Sequence, residues 1–397
     1  MELTRNDRRR GGVLAAVLLA VAWSAMAGAQ SSTQSSTQSS SSSSPATPPK
    51  KSPWQKLVEP WPAPEVMQQR RIRSLELPLF GSAEPFAFTL MGDFKALNRD
   101  RDPESRRRYP GELRIPGEGG ADVSIPVQLS ARGHSRRNPR TCDYVPIRIE
   151  FPKTGLASTV FARQEALKLV VQCVRSGDFE QYLLREYLAY RLFNVITHRS
   201  FRARLAKVTY VERATGETTG TRAAMFVEDV DDVAKRMEGR SVDLPRLLFH
   251  DLDADTLMPM MLFEYMIGNT DFSIHALHNT KIVQRPDKSL HPLAYDFDYS
   301  GLVRAPYAAP AKALMLPSVR DRLYRGPCRK PVEQVGPYVA NFVAKRKLLL
   351  DLPDAIPGLS KSSREDARSY LEEFYDAIKT PSDWRRLFVE CPNRSTM

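Results

Sequence analysis

The run GNTDFSIHALHNTKIV, Gly268 to Val283, sets Asp271, His275, His278 and Asn279 close together, and LHPLAYDFDYSG, Leu290 to Gly301, adds Asp296 and Asp298 after a polar turn. Phosphoryl transfer needs such a set. One carboxylate orients the attacking hydroxyl, while amide and carboxylate oxygens hold a divalent cation against the phosphates. An aspartate that only opens a turn would account for Asp271 alone. His275 and His278 would join Asp271 around zinc only on a helix, and the segment lacks helical periodicity and an evident third nitrogen or sulfur ligand. The histidines are therefore expected to orient the loop or approach substrate.

The elements that must carry these residues fall in two textures. From about Leu75 to Val211, short alternating runs such as EPFAFTLMGDF, GELRI, ADVSIPVQLSARG, VPIRIEF and EALKLVVQC predict strands. One long helix is predicted over Asp178 to Ile196, and LAKVTYVER and TRAAMFVED flank a turn-rich connection. Beyond Asp229, DADTLMPMMLFEYMIGN, PVEQVGPYVANFVAKRKLLLDL and SREDARSYLEEFYDAI carry apolar residues at helical spacing. A β-rich part with one helix joined to an α-rich part is the outline of a kinase-like fold. Lys168 on EALKLVVQC precedes Glu186 on the long helix, in the order of a kinase lysine–glutamate pair. Lys168 alternates with Leu167 and Leu169 and so equally fits a solvent face, which leaves Arg148 as the other phosphate partner. The arginines from Arg132 to Arg140 read as a solvated loop or a polyanion patch, and GEGG at Gly117 to Gly120 as a hairpin turn. No Walker lysine motif, HExxH or GxSxG occurs.

With these residues quoted, the sequence resembles the CotH-type family of atypical secreted kinases and, more distantly, HipA-like kinases. SARGHSRRNPRTCDYVPIRIEF is similar to that family's Arg-Gly segment and basic strand, FVEDVDDVAKRM to its interlobe segment, and GNTDFSIHALHN with PLAYDFDYSG to its catalytic and metal-binding loops. The resemblance covers roughly Gln128 to Val303. It implies an α+β, atypical protein-kinase-like two-lobed fold, with a β-rich N-lobe carrying one long helix over 53–228 and an α-rich C-lobe over 229–397. It implies ATP and magnesium or manganese as cofactors, with Asp271 as catalytic base and Asn279, Asp296 and Asp298 as metal ligands. Lys168, Glu186 and Arg132 would serve the phosphates, and backbone groups from Phe226 to Glu228 the base or ribose. The chain departs from ordinary protein kinases in two ways: no Gly-rich loop precedes Lys168, and Asp271 to Asn279 is wider than the HRDxxxxN interval.

Arg5, Arg8, Arg9 and Arg10 precede an apolar run from Val13 to Ala27, too short to span a bilayer and closed by small residues. Residues 1–29 read as a signal peptide cut after Ala29, which predicts a periplasmic or extracellular protein with no stable membrane insertion. Residues 30–52, rich in Ser, Thr, Gln and Pro, read as a disordered linker. In an oxidising compartment the 4 cysteines should pair, Cys142 with Cys173 and Cys328 with Cys391 being favoured because each pair stays within one half of the chain. The formal charge of +12 suits a nucleotide or an envelope polyanion. No basic stripe with interleaved aromatics points to nucleic acid. The expected function is transfer of the ATP γ-phosphoryl group to a hydroxyl, on a protein serine or threonine as the resemblance implies. A binding protein of the cell envelope without transfer activity is the alternative.

Overall fold

The computed structural model describes residues 53–117 and 120–392. The expected signal peptide and linker lie outside them. Among the described residues the chain forms α1 (Pro53–Val58), α2 (Pro64–Leu75), β1 (Phe86–Gly92), α3 (Phe94–Arg99), β2 (Tyr109–Pro116), β3 (Asp122–Ala131), β4 (Ile147–Glu150) and β5 (Ala166–Val171). There follow α4 (Phe179–Ile196), β6 (Ala203–Glu212), β7 (Thr218–Val227), α5 (Val230–Arg236), β8 (Arg240–Val242), α6 (Ala254–Met266), β9 (Thr280–Gln284) and β10 (Leu290–Ala294). Helices α7 (Val332–Ala344), α8 (Arg346–Asp351), α9 (Lys361–Ala377) and α10 (Pro381–Arg385) complete the order.

The two-lobed, kinase-like α+β fold expected from the sequence is overturned. Strands β1 to β7 close on themselves in the order β1-β2-β3-β4-β5-β7-β6, while β10-β9-β8 make a separate three-stranded sheet. Closure comes from β1 lying parallel to β6, from Phe86 opposite Ala206 to Gly92 opposite Glu212; the other barrel pairs are antiparallel. Alternation in each strand fills the barrel with Leu113, Ile125, Val127, Ile149, Leu167, Leu169 and Phe226, around aromatic contacts such as Phe88 with Phe226 at 5.7 Å.

Nor do the two halves of the chain keep separate cores. Helix α4 lies on β6 and β7 and is buried on most of its surface. Its Phe193 stacks on Phe263 of α6 at 4.3 Å, and one apolar cluster runs from Val170 through α4 and α6 to Phe342, Phe374 and Phe388. A helix with no exposed position along its length is shared by its neighbours rather than a face of one lobe. Both favoured disulfides are present, Cys142–Cys173 and Cys328–Cys391. Among the described residues no helix is long and apolar enough to cross a membrane.

Candidate functional site

The Asp271 loop is built on the end of α6. Chain direction changes at Gly268, whose φ of +64° suits glycine, and the loop returns on itself through paired backbone hydrogen bonds between Ser273 and His278, each 2.9 Å. That return puts His278 Nε2 3.0 Å from Asp271 Oδ1 and lets Asn279 Nδ2 donate to Asp271 Oδ2 at 3.1 Å and to its carbonyl at 2.7 Å. Both Asp271 oxygens are thus oriented from within the loop. Asn279 has φ +48°, a left-handed conformation that asparagine tolerates better than most residues. Its amide nitrogen faces Asp271, so its side-chain oxygen is the atom turned elsewhere.

The second acidic loop follows β10. Phe297 is fully buried against Tyr190 at 4.8 Å and Phe263 at 5.4 Å, which anchors the loop between two flanking aspartates. Asp296 adopts φ +68°, an unusual conformation held by its N–H donating to Tyr190 Oη at 3.0 Å. Asp298 is buried and accepts from Tyr307 Oη at 3.0 Å. Burial and the Asp296 charge push its carboxyl up to about 7. Glu186 on α4 reaches the same spot, buried, with Oε1 lacking a hydrogen-bond partner; burial and then Asp298 and Asp296 hold its carboxyl well above the usual range. Opposing them is the Arg136 guanidinium, buried and donating to the Val171 carbonyl.

The barrel supplies Lys168 and Arg132, and the small sheet supplies Lys281. Leu167 and Leu169 point inward, so Lys168 points outward, not to open solvent but toward Tyr295, its Nζ 4.8 Å from that ring. Lys281 of β9 lies over the same ring at 5.8 Å. Burial and the nearby Arg132 bring the Lys168 ammonium down to about 8, against the pull of Asp229 and Asp296. Lys168 on the barrel wall therefore faces Asp296 beyond the end of the small sheet, with Arg132 and the small sheet's Lys281 close to its ammonium. Farther along β4 and β5, a cavity of about 600 Å³ is lined by Arg148, Phe151, Ala166, Asp229 and Lys235 but not by Lys168 itself, within the size range of small-molecule sites.

The predicted residues are thus distributed unevenly. Asp271 with Asn279, and Asp296 with Asp298, come together, and the Asp271 charge reaches Asp298. Lys168 and Glu186 make no ion pair with each other; Lys168 faces Tyr295 and Asp296, whereas Glu186 faces Asp298, Asp296 and Arg136. The Glu228 carboxylate is turned into the protein, fully buried between Arg202 at 2.6 Å and Arg236 at 2.9 Å, and its N–H donates to the Arg202 carbonyl. Arg136, Tyr190, Tyr307 and Lys281 were not singled out as site residues by the sequence. Arg136 stood in the arginine run, but spacing does not reveal that Arg136 and Arg137 alone of its arginines are buried. Among the described residues no group of three or more His, Cys, Asp or Glu side chains is arranged to hold a metal by itself. A cation bound here would need the Asn279 oxygen and phosphate oxygens besides Asp296 and Asp298, a mode that suits magnesium.

Comparison with protein-family models gives no match, and comparison with the curated proteins gives none. Among solved structures the chain is similar to a Helicobacter pylori proinflammatory kinase, CtkA, at 11% sequence identity over 60% of this chain and 89% of that one, with a TM-score of 0.32. A likeness of that size carries no argument about this chain.

Proposed function

We propose that this protein is an exported, nucleotide-dependent phosphotransferase that moves the γ-phosphoryl group of ATP to a hydroxyl, with magnesium, on a protein serine or threonine. The observation that carries the reading is the gathering of an oriented Asp271–Asn279 pair with the Asp296–Asp298 loop, and of Lys168, with Arg132 and Lys281 beside it, near Asp296. Asp271 takes the proton of the acceptor hydroxyl as its oxygen attacks the γ-phosphorus. The bond from that phosphorus to the bridging oxygen breaks, and its electron pair leaves with ADP. Lys168 and Arg132 meet the phosphates, and the cavity lined by Arg148, the strand partner of Lys168, receives the nucleoside. Asn279 and Asp296, with Asp298, would hold the magnesium ion, which neutralises charge on the phosphate oxygens. Two carboxylates crowded together, one pushed up to about 7 by burial and its neighbour, are what a divalent cation offsets. The family resemblance of the motifs and the two disulfides support the exported setting.

Thermal unfolding of the protein with ATP, with and without magnesium, tests this reading, because a ligand of the folded state raises apparent stability by mass action. A magnesium-dependent rise of several degrees, lost in Asp296→Ala and kept in Asp271→Ala, is expected. No rise at saturating ATP overturns the reading in favour of a binding protein for an envelope component.

A further inference from the structure

The groups that hold Asp271 in place come partly from outside the motif that carries it: Glu264 precedes it and Arg325 follows far along the chain, while Asn269 lies within it. At the end of α6, Glu264 and Asn269 are each about 1% exposed. Asn269 donates its N–H to the Glu264 carbonyl at 2.8 Å and its Nδ2 to Glu264 Oε2 at 2.9 Å, while its Oδ1 accepts the Asp271 N–H at 3.0 Å. From the other side, Arg325 donates through Nη1 to the Thr270 carbonyl at 2.6 Å and the Phe272 carbonyl at 2.7 Å, with its guanidinium 5.0 Å from the Phe272 ring. The N–H of Asp271 and the carbonyls on both sides of it are therefore tied to buried or stacked side chains. None of these peptide groups can turn without breaking a charge-assisted or buried hydrogen bond.

Helix termination alone does not call for this. The turn at Gly268 already ends α6, and Glu264 is a costly residue for a core position: its Oε1 has no hydrogen-bond partner, and burial pushes its carboxyl up to about 8. A leucine would pack there at lower cost. What the carboxyl supplies is an acceptor that fixes the rotation of the Asn269 amide, and that amide must present its oxygen to Asp271.

We propose, on the basis of the phosphotransferase reading, that Glu264, Asn269 and Arg325 are positioning residues that set the attitude of the Asp271 carboxylate toward the acceptor hydroxyl. They act through the backbone of residues 270–272 and touch neither nucleotide nor acceptor. Displacement of a reacting group by about 1 Å costs on the order of 100-fold in rate, so their loss falls on turnover. Nucleotide binding, which rests on Lys168 and Arg132, is spared.

The test measures transfer from ATP to dephosphorylated casein, together with amide hydrogen exchange of residues 270–272. Asn269→Ala and Glu264→Leu should lower kcat about 30- to 100-fold with KM for ATP within about twofold, and exchange at Asp271 should quicken. Glu264→Gln keeps an acceptor for Asn269 and should recover turnover at least about tenfold over Glu264→Leu, which a merely space-filling role would not produce. Unchanged kcat in Asn269→Ala, or a rise in KM alone, overturns the proposal. Should Asn269→Ala fail to fold, Arg325→Met, which removes the donor to both carbonyls, asks the same question. If the wild-type protein transfers nothing, the phosphotransferase reading fails by itself, and unchanged protection of the Asp271 amide in Asn269→Ala would still sink the positioning role.

Discussion

Lys168 shows how a residue can be legible in type and order yet not in its surroundings. Strand alternation makes it point away from the barrel core, and the sequence leaves solvent and site equally open. The structure turns it toward Tyr295 and Asp296, among Arg132 and Lys281. Asp271 and Asn279 were legible because the loop that joins them is local. Arg136 was not, because its role comes from burial beside residues distant in sequence; Asn269 and Tyr307 were not, because residue type and spacing do not show which way a side chain in a loop turns. The lowered Lys168 ammonium has consequences of definite sign. Its folded value near 8 lies below the ordinary 10.5, so between those values the unfolded chain holds a proton that the folded chain has released. This group therefore raises stability as pH climbs from about 8 to 10.5 and penalises it below 8. On the phosphotransferase proposal, phosphate binding should follow the opposite course, since the ammonium is present below 8 and lost above it. Nucleotide affinity by calorimetry should weaken about tenfold between pH 7 and pH 9 and show no such fall in Lys168→Met. An equal fall in both would place the titrating group elsewhere.

Elements were the most legible level where pattern is local: α4 spans Phe179–Ile196 against an expected start one residue earlier, and β9 and β10 form the expected strand-turn-strand unit. Helix α5 was read only as a connecting segment, because seven residues give too few turns for a period to emerge. The connection between β3 and β4 has no regular period, yet it carries Arg136 into the acidic cluster. It is fastened to the end of β5 by Cys142–Cys173 and by the Arg136 bond to Val171. The two disulfides should therefore separate stability from ligand binding. Loop closure over 31 residues predicts a loss of about 3.5 kcal/mol for Cys142→Ser with Cys173→Ser, and closure over 63 predicts about 4 kcal/mol for Cys328→Ser with Cys391→Ser. Only the first pair should also weaken magnesium-dependent nucleotide binding, because only that bond sits beside Arg136, which opposes Glu186 and Asp298. Urea unfolding and nucleotide titration of both double variants check this. Equal affinities in the two would mean that the Arg136 segment holds its place without the disulfide.

At the scale of the molecule, closure of the barrel was hidden because the parallel pairing of β1 with β6 joins stretches more than a hundred residues apart, and no alternation pattern records a partner strand. The shared core was hidden for a related reason: the apolar residues of α4 say that they are covered, not by what. A third long-range feature lies at the start of the described chain, where α1 and α2 are held by guanidinium groups on backbone carbonyls. Arg240 donates to Leu57 at 2.9 Å and Glu59 at 2.8 Å with Trp61 at 3.9 Å from its guanidinium, Arg202 to Ser74 at 2.7 Å, and Arg163 to Arg73 at 3.1 Å. Ser74 Oγ donates to the Asp232 carbonyl at 2.7 Å. These helices bring Arg70 to the wall of the cavity lined by Arg148 and enclose a further space of about 240 Å³ against Lys235 and Arg240. Residues 53–76 should therefore belong to the folded body, unlike the Ser-rich linker before them. A chain starting at residue 53 should melt within about 1 °C of the full chain. One starting at residue 77, with three guanidinium groups stripped of their carbonyls, should lose about 3–5 kcal/mol and melt roughly 5–10 °C lower. Its nucleotide affinity should fall as well, since one cavity wall is gone. Equal melting of the two shortened chains would show that these helices rest on the barrel without bracing it.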